Sequence, residues 1–123
     1  MPQLSIIIPL FNSCEFITRA LQSCINQTLR DIEILVVDDK SEDESVKIAL
    51  ELAKKDERVK IFQNDENLGT FATRNLGVLK SRAEFIMFLD SDDFLALNAC
   101  ELALTKIKQG FDLICFDAFV HRV

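Results

Sequence analysis

The sequence is poor in the residues that form the most familiar nucleotide and zinc sites. It contains three glycines, Gly69, Gly77 and Gly110, so the GxGxxG fingerprint of a dinucleotide-binding fold cannot occur. There is no GxxxxGK[ST] segment, which excludes a P-loop. A single histidine, His121, and cysteines without a CxxC pair exclude a familiar zinc site. A phosphate-bearing ligand, if one binds, would therefore not be held by a glycine-rich loop.

Positive charge and long apolar runs are also scarce. Lys and Arg number 14 against 20 Asp and Glu, and the resulting net charge of −6 argues against nucleic-acid binding. No apolar run approaches membrane-spanning length, so no membrane span is expected. Pro9 interrupts the first apolar run, and no signal peptide is recognisable. The scattered cysteines favour reduced thiols, as expected for a cytoplasmic protein. The alternative location is a peripheral one at the inner face of the membrane.

What is present is a regular alternation of short apolar runs with helical patterns. The 123 residues fit one domain, and 49% of them are hydrophobic, which suffices for a core. The order βαβαβαβαβ with helix-length connections predicts an α/β fold, a Rossmann-like three-layer sandwich with a mostly parallel sheet. The predicted strands are Leu4–Pro9, Ile32–Val37, Val59–Phe62, Phe85–Leu89 and Phe111–Phe116.

The patterns also predict how individual elements are placed. Val59–Phe62 alternates and is expected near the sheet edge, whereas Phe85–Leu89 reads as a strand buried on both faces. Ser41 and Glu44 have capping-box spacing at the start of the second helix. Gly77 within the third helix indicates either a close approach to a strand or simple tolerance. The side chains expected to face inward from the third helix are Phe71, Ala72, Leu76 and Leu79.

Two of the predicted strands end in clustered acids. Asp38 and Asp39 follow the second strand, and Asp90, Asp92 and Asp93 follow the fourth. The carboxyl ends of parallel strands lie at one edge of a sheet, where ligands bind. Carboxylates so close repel one another, and a Mg²⁺ or Mn²⁺ ion or a set of hydroxyl donors would offset this. The alternative is that Asp92 or Asp93 only caps the following helix.

Arg74 is the best candidate for binding diphosphate oxygens. A guanidinium group binds phosphate through two parallel hydrogen bonds. A surface ion pair is the alternative, and without further information it is the preferred one.

Together these residues resemble glycosyltransferase family 2, of the GT-A type. The resemblance covers about Leu4 to Asp117, and its specificity lies in the order and spacing of the motifs. The motifs are Leu4–Asn12, Gln27-Thr28, Glu33–Asp39 with Ser41, Asn67-Leu68-Gly69, Ala72–Gly77 and Leu89–Asp93.

The resemblance implies a role for each matching position. Pro9 and Phe11 would line the nucleobase pocket, although the family more often has Tyr at the position of Phe11. Asp39 would accept a hydrogen bond from the base, typically uracil, with Asp38 supporting it. Arg74 would lie near the diphosphate or the base. The remaining donor-binding positions are Asn12, Asn67, Gly69, Asp90 and Ser91.

Asp90-Ser91-Asp92 corresponds to the DxD-type motif of the family. The resemblance implies that Asp90, Asp92 and Asp93 bind Mn²⁺ or Mg²⁺ or the donor ribose, without separating their roles. The implied reaction moves a sugar from a nucleoside-diphosphate donor, most often a UDP-sugar, to an acceptor hydroxyl with inversion. The implied setting is bacterial polysaccharide or lipopolysaccharide synthesis, with a saccharide or a lipid-linked acceptor.

The same resemblance implies that residues 1–123 form only the donor-binding half. Family members continue into a half that binds the acceptor and supplies the general base, and no base is identified here. The expectation is a truncated chain that binds the donor weakly and transfers its sugar poorly. Without that half, the strand Phe111–Phe116 and the tail Ala118–Val120 would be uncovered, which predicts a homodimer at that strand.

Two other functions fit parts of the pattern. A sugar-phosphate nucleotidyltransferase also uses metal-binding acids on an α/β sheet, but usually has a glycine-rich N-terminal loop with a basic residue, which Pro9–Ser13 lacks. A non-catalytic nucleotide-binding domain would suit the short length.

Overall fold

Four strands and four helices alternate strictly along the chain. The computed structural model describes residues 1–115. The elements are β1 Leu4–Leu10, α1 Ile17–Ile25, β2 Ile32–Asp38, α2 Ser45–Ala53, β3 Val59–Gln63, α3 Thr70–Lys80, β4 Phe85–Phe88 and α4 Ala99–Lys108. The strands form one sheet in the order β3-β2-β1-β4, and every pair is parallel. The α/β class and the parallel sheet are therefore confirmed, and Val59–Gln63 is the edge strand that was expected.

The centre of the sheet is the most apolar part of the molecule. Ile7 of β1 lies beside Leu35 of β2 on one side and beside Phe88 of β4 on the other. Nearly every residue of β1 and all of β2 are buried. Runs rich in Ile, Leu and Val suit this position because helices cover both faces of a parallel sheet.

The helices divide between the two faces of the sheet and make three layers. Alternate strand residues such as Ile6, Ile34 and Met87 pack with Ile17 of α1 and Cys100 of α4 in one core cluster. Helix α2 contributes Ala49 to the same cluster. The opposite face of β1 and β2 is covered by α3.

Helix α3 lies unusually close to β1. A Cβ atom placed on Gly77 would collide with the side chain of Ile7. Gly77 therefore allows a close helix–strand contact, and simple tolerance of glycine in the helix is not the explanation.

The face that α3 turns to the sheet differs from the predicted one. Thr73 and Gly77 are buried, whereas Phe71 and Leu79 are 85% and 79% exposed. Because the helix axis runs close to the strands, only small side chains fit between them. The larger apolar residues of α3 are consequently displaced to its sides and outer surface.

The strand that precedes the acids is less buried than predicted. Only Met87 of β4 is buried, and Phe88 is 49% exposed. Strand β4 is the end strand of the described sheet, and α3 packs over β1 and β2 rather than over β4. Met87 on one face of β4 packs in the core cluster with Cys100 and Ala103 of α4, whereas Phe88 on the other face is half exposed.

The predicted fifth strand is not formed over the part that the structure describes. Residues 111–115 follow α4 without strand geometry. Phe116 and the tail Ala118–Val120, on which the predicted dimer depends, lie outside the described residues. Within residues 1–115, no helix is both long and apolar enough to cross a membrane.

A buried carboxylate joins three segments at the amino end of the sheet. Glu33 accepts hydrogen bonds from the Ser5 hydroxyl (2.7 Å) and from the Arg82 N–H (2.6 Å), and its second oxygen faces Arg82 Nε at 3.2 Å. Burial raises the pKa of Glu33, but these donors outweigh it and the pKa is lowered overall. Glu33 thus anchors the turn that leads into β4.

The strand order creates a crevice at the opposite end of the sheet. From β1 the chain crosses to β2 and then β3 on one side, but returns to place β4 on the other side of β1. The connection that leaves β3 enters α3 on one face of the sheet, whereas those that leave β1, β2 and β4 enter helices on the other face. A reversal of strand order and side of this kind forms ligand crevices in open α/β sheets.

We expect Gly77→Ala to destabilise the fold by about 1–3 kcal/mol, because the new methyl group meets Ile7 in a packed core. Helix propensity alone would predict a gain of about 1 kcal/mol. Urea unfolding measures the free energy difference, with Asn75→Ala as the control on the exposed side of α3. A stabilised Gly77→Ala protein would contradict the close contact.

Candidate functional site

The crevice forms a polar cleft of about 390 Å³ at the carboxyl edge of the sheet. Its walls come from the end of β1, the end of β2, the first turns of α3 and the segment after β4. The lining residues are Pro9, Leu10, Phe11, Ser13, Asp39, Thr70, Thr73, Arg74, Asp90, Ser91 and Asp92. Residues far apart in the sequence, such as Asp39 and Asp90, therefore lie around one space.

Asp39 is buried at the end of β2 and holds the loop before α3. Its Oδ1 accepts hydrogen bonds from the Leu68 N–H (2.7 Å) and from Asn64 Nδ2 (3.0 Å), and its Oδ2 accepts one from the Gly69 N–H (2.9 Å). Burial raises the pKa of Asp39, but the N–H donors of Leu68, Asn64 and Gly69 outweigh it and lower the pKa overall. Asp39 is thus an ionised acceptor at the cleft wall.

Gly69 and Asn67 act on the cleft through Asp39. Gly69 has φ of 90°, which favours glycine, and its carbonyl accepts the Thr73 hydroxyl at 2.7 Å. The Asn67 side chain donates to the Asp39 carbonyl over a long 3.4 Å. Neither residue lines the cleft, so both position Asp39 and α3.

Asp38 and Asn12 also lie outside the cleft lining. The Ser41 hydroxyl donates to Asp38 Oδ1 at 2.6 Å, and the Ser41 N–H donates to Oδ2 at 3.1 Å. The Asn12 amide oxygen accepts from the Glu42 N–H, and the Asn12 N–H donates to the Ser41 hydroxyl. These contacts join the loop after β1 to the loop after β2.

The capping box predicted at Ser41 and Glu44 is therefore wrong. Helix α2 begins at Ser45 with Glu44 as its N-cap residue, and the Ser45 N–H is accepted by the Asp43 carboxylate at 2.9 Å rather than by Ser41. The Ser41 hydroxyl is engaged by Asp38 instead, because the buried carboxylate is the stronger acceptor.

Arg74 forms the ion pair that was the alternative interpretation of it, and this partly exposed pair lies at the wall of the cleft. Its Nη2 lies 2.9 Å from Asp90 Oδ1. The guanidinium also lies 5.7 Å from the centre of the Phe88 ring. Arg74 Nε is buried and has no hydrogen-bond partner among the described residues. The pair places a guanidinium from α3, which can bind an anion, beside a carboxylate from the end of β4, which can bind a cation.

Asp90, Asp92 and Asp93 form an acidic cluster at the mouth of the cleft. One carboxylate oxygen from each lies within 4.8 Å of the others, and all three residues are exposed. Partial desolvation of its carboxylate by neighbouring protein atoms, followed by the charges of Asp92 and Asp90, raises the pKa of Asp93, and the charge of Arg19 opposes this. Three oxygen ligands at this spacing fit a hard divalent cation.

Ser91 is buried between these acids and ties them to β1. Its hydroxyl donates to the Ser13 hydroxyl at 2.7 Å, and the Ser13 N–H donates to Ser45 Oγ at 2.8 Å. The loops after β1, β2 and β4 are therefore linked by serine side chains.

The sequence motifs assign no role to several side chains of the cleft and its surroundings. Thr70, Thr73 and Ser13 line the cleft but belong to no recognised catalytic pattern. Arg19 donates from Nη2 to the Asp92 carbonyl at 3.2 Å, across 73 residues of sequence. No local signal in the sequence indicates that contact.

The parallel sheet, its flanking helices and the cleft at the carboxyl edge are those of a glycosyltransferase domain of the GT-A fold class. The family model "Glycosyl transferase family 2" matches residues 5–123, so the chain belongs to this family. This favours the glycosyltransferase interpretation over a nucleotidyltransferase.

Curated relatives support the same family. The chain is 40% identical over 110 residues to an uncharacterized glycosyltransferase of Haemophilus influenzae, covering 89% of this chain and 44% of the relative. It is 37% identical over 123 residues to the GalNAc(5)-diNAcBac-PP-undecaprenol beta-1,3-glucosyltransferase of Campylobacter jejuni, covering 99% of this chain and 40% of that enzyme. The chain thus spans less than half the length of either relative.

A solved structure shares the fold. Residues 1–349 of Staphylococcus aureus TarS in complex with UDP-GlcNAc superpose with a TM-score of 0.80 and 31% identity. The match covers 87% of this chain and 31% of that one.

We expect Asp39→Asn to lower the free energy of unfolding by about 1–3 kcal/mol at pH 7. An amide offers one oxygen in place of two, so the N–H of Leu68 or Gly69 loses its acceptor. Because the pKa of Asp39 is lowered in the folded state, its stabilisation is complete above the unfolded-state value of about 3.9 and is lost as the pH falls through the lower folded-state value.

The difference between the two proteins should therefore be widest near pH 7 and shrink toward pH 3. Urea unfolding at several pH values measures it. Asp31→Asn, an exposed carboxylate before β2, is the control and should leave stability nearly unchanged. A difference between Asp39→Asn and the unsubstituted protein that stays constant down to pH 3 would contradict the ionised, hydrogen-bonded state of Asp39.

Proposed function

We propose that the chain is the donor-binding part of a family 2 glycosyltransferase that uses a UDP-sugar and a divalent cation. The observation that carries the proposal is the single cleft in which Asp39, Arg74 and the acidic cluster meet. A base acceptor, a guanidinium and carboxylates are the groups required by a nucleobase, a diphosphate and its cation, in that order.

The hydrogen-bonding capacity of Asp39 supports uracil as the base. A carboxylate has about four acceptor positions, and three are used by Leu68, Asn64 and Gly69. The Thr73 hydroxyl lies near Asp39 but donates its proton to the Gly69 carbonyl at 2.7 Å. One position remains on Oδ2, which suits the single N3–H of uracil. Guanine would present two neighbouring N–H groups, and cytosine would present an acceptor nitrogen beside its amine.

Phe11 and Pro9 provide the apolar contact for the base. Phe11 is 48% exposed and lines the cleft, so its ring is available for stacking. Without the hydroxyl of a tyrosine at this position, the ring contributes apolar area and no hydrogen bond.

Arg74 and the acidic cluster would bind the diphosphate and its cation. Bound donor would exchange the Arg74–Asp90 ion pair for contacts of Arg74 with phosphate, and Asp90 would turn to the cation or the ribose. Asp92 and Asp93 complete the set of oxygen ligands for Mn²⁺ or Mg²⁺. A divalent cation there supplies Lewis-acid stabilisation of the charge that develops on the leaving diphosphate.

The acceptor side of the reaction belongs to the part of the family's length that this chain does not span. We propose an inverting transfer to an acceptor hydroxyl in cell-envelope polysaccharide or lipopolysaccharide synthesis, in the cytoplasm or at the inner face of the membrane. The undecaprenol-linked substrate named for the Campylobacter jejuni relative supports a lipid-linked acceptor. On this proposal residues 1–123 bind donor but transfer sugar poorly alone.

We expect UDP to raise the melting temperature of the chain in MnCl₂ more than CDP, ADP or GDP. A ligand at 100 times its Kd stabilises the folded state by about 2.7 kcal/mol, which thermal unfolding readily resolves. Uridine serves as the control that lacks the diphosphate. An equal shift with GDP would contradict the argument from the single free acceptor of Asp39.

We expect Asp92→Asn and Asp93→Asn to abolish the Mn²⁺-dependent part of UDP binding, because each removes one anionic oxygen ligand. Calorimetric titration with UDP, with MnCl₂ and with EDTA, measures that part directly. Asp31→Asn carries the same change of charge away from the cleft and should behave as the unsubstituted chain. Unchanged affinity in both cluster variants would remove the metal assignment.

A further inference from the structure

One side of α1 faces the segment that follows the acidic cluster. Arg19 and Ser23 of α1, and Gln27 just beyond its end, follow one another at four-residue spacing and therefore lie in one row. Each of the three side chains is bonded to the backbone of residues 92–100. The three side chains therefore hold that segment against α1 along its length.

Gln27 and Ser23 make the buried part of the row. Gln27 is 1% exposed, and its Nε2 donates to the Ala96 carbonyl at 2.7 Å while its Oε1 accepts the Cys100 N–H at 2.9 Å. The Ser23 hydroxyl accepts the Leu95 N–H at 3.0 Å. Gln27 thus satisfies a backbone donor in the first turn of α4, which the N-cap residue Asn98 does not reach with its own side chain.

Arg19 is the member of the row that reaches the acidic cluster itself. Its Nη2 donates to the Asp92 carbonyl at 3.2 Å, and its Cζ lies 4.5 Å from the centre of the Phe94 ring and 5.9 Å from that of Phe16. The carbonyl belongs to the peptide unit that joins Asp92 to Asp93. The guanidinium therefore holds the backbone between two of the three carboxylates.

We propose that Arg19 is a positioning residue for the acidic cluster, fixing the Asp92–Asp93 peptide so that the three carboxylates share one cation. The inference rests on the proposed function, since it concerns the same cation. It assigns Arg19 no contact with substrate.

The positive charge of Arg19 by itself weakens cation binding by the acidic cluster, whereas its positioning role strengthens that binding. The guanidinium repels a divalent cation at the cluster. If charge were the only effect, removal of Arg19 would therefore strengthen Mn²⁺ binding. The groups are exposed, so water and salt screen that repulsion. Loss of a residue that orients metal ligands typically costs 10- to 100-fold in metal affinity. Positioning is therefore expected to outweigh charge.

Arg19→Ala in the 123-residue chain tests the inference through Mn²⁺ binding. With UDP present, electron paramagnetic resonance of free Mn²⁺ should show at least about tenfold weaker binding than in the unsubstituted chain. UDP affinity in EDTA should stay unchanged, because Arg19 does not line the cleft. Arg19→Lys, which retains a donor and a cation over Phe94, should recover part of the loss.

Two further variants separate positioning from general stability. Phe94→Leu removes the ring that the Arg19 guanidinium contacts and, like Arg19→Ala, should weaken Mn²⁺ binding. Arg30→Ala removes another guanidinium–carbonyl contact, from Arg30 to Ile25 at 2.7 Å, and should leave Mn²⁺ affinity unchanged.

The outcomes distinguish this inference from the function on which it rests. If the unsubstituted chain binds Mn²⁺ with UDP and Arg19→Ala binds it equally or more tightly, the positioning role is overturned and the proposed function stands. If Arg19→Ala lowers UDP affinity in EDTA as much as in MnCl₂, the effect is a general one and the positioning role is again overturned. If the unsubstituted chain shows no UDP-dependent Mn²⁺ binding, the proposed function itself fails, and the inference with it.

Discussion

The carboxylate of Asp39 is the interaction on which the cleft depends. It receives the backbone N–H groups of Leu68 and Gly69, and so fastens the loop before α3 to the end of β2. That anchor sets where α3 begins, and the position of α3 places Thr73 and Arg74 at the cleft wall. Charge-assisted bonds to a buried carboxylate are strong, so one side chain both organises the site and offers an acceptor to it.

The close packing of α3 on β1 transmits this arrangement to the rest of the sheet. Gly77 lets the helix lie against Ile7, and the helix can therefore bring Arg74 to within 2.9 Å of Asp90 beyond the neighbouring β4. A bulkier residue at position 77 would hold the helix farther from the sheet. The guanidinium and the carboxylates would then be separated in the cleft that they now share.

The carboxylates of the acidic cluster repel one another, and neighbouring side chains offset part of that repulsion. Serine hydroxyl contacts fix Ser91 between the acids, and Arg19 and Arg74 supply nearby positive charge. Such a concentration of like charge is unfavourable for folding and favourable for binding a cation. Sites that bind ligands commonly retain unfavourable interactions of this kind.

Much of this fold follows from local pattern, because unbroken β-branched runs such as Ile6–Ile8 suit only a sheet buried on both faces. The acids at the ends of β2 and β4 likewise follow from chain order, since parallel strands place their carboxyl ends together. Tertiary structure alone decided which side of α3 is buried, that β4 is an open end strand, and that Arg19 reaches Asp92. Those outcomes depend on helix–sheet distance and on contacts across 73 residues, which no local periodicity encodes.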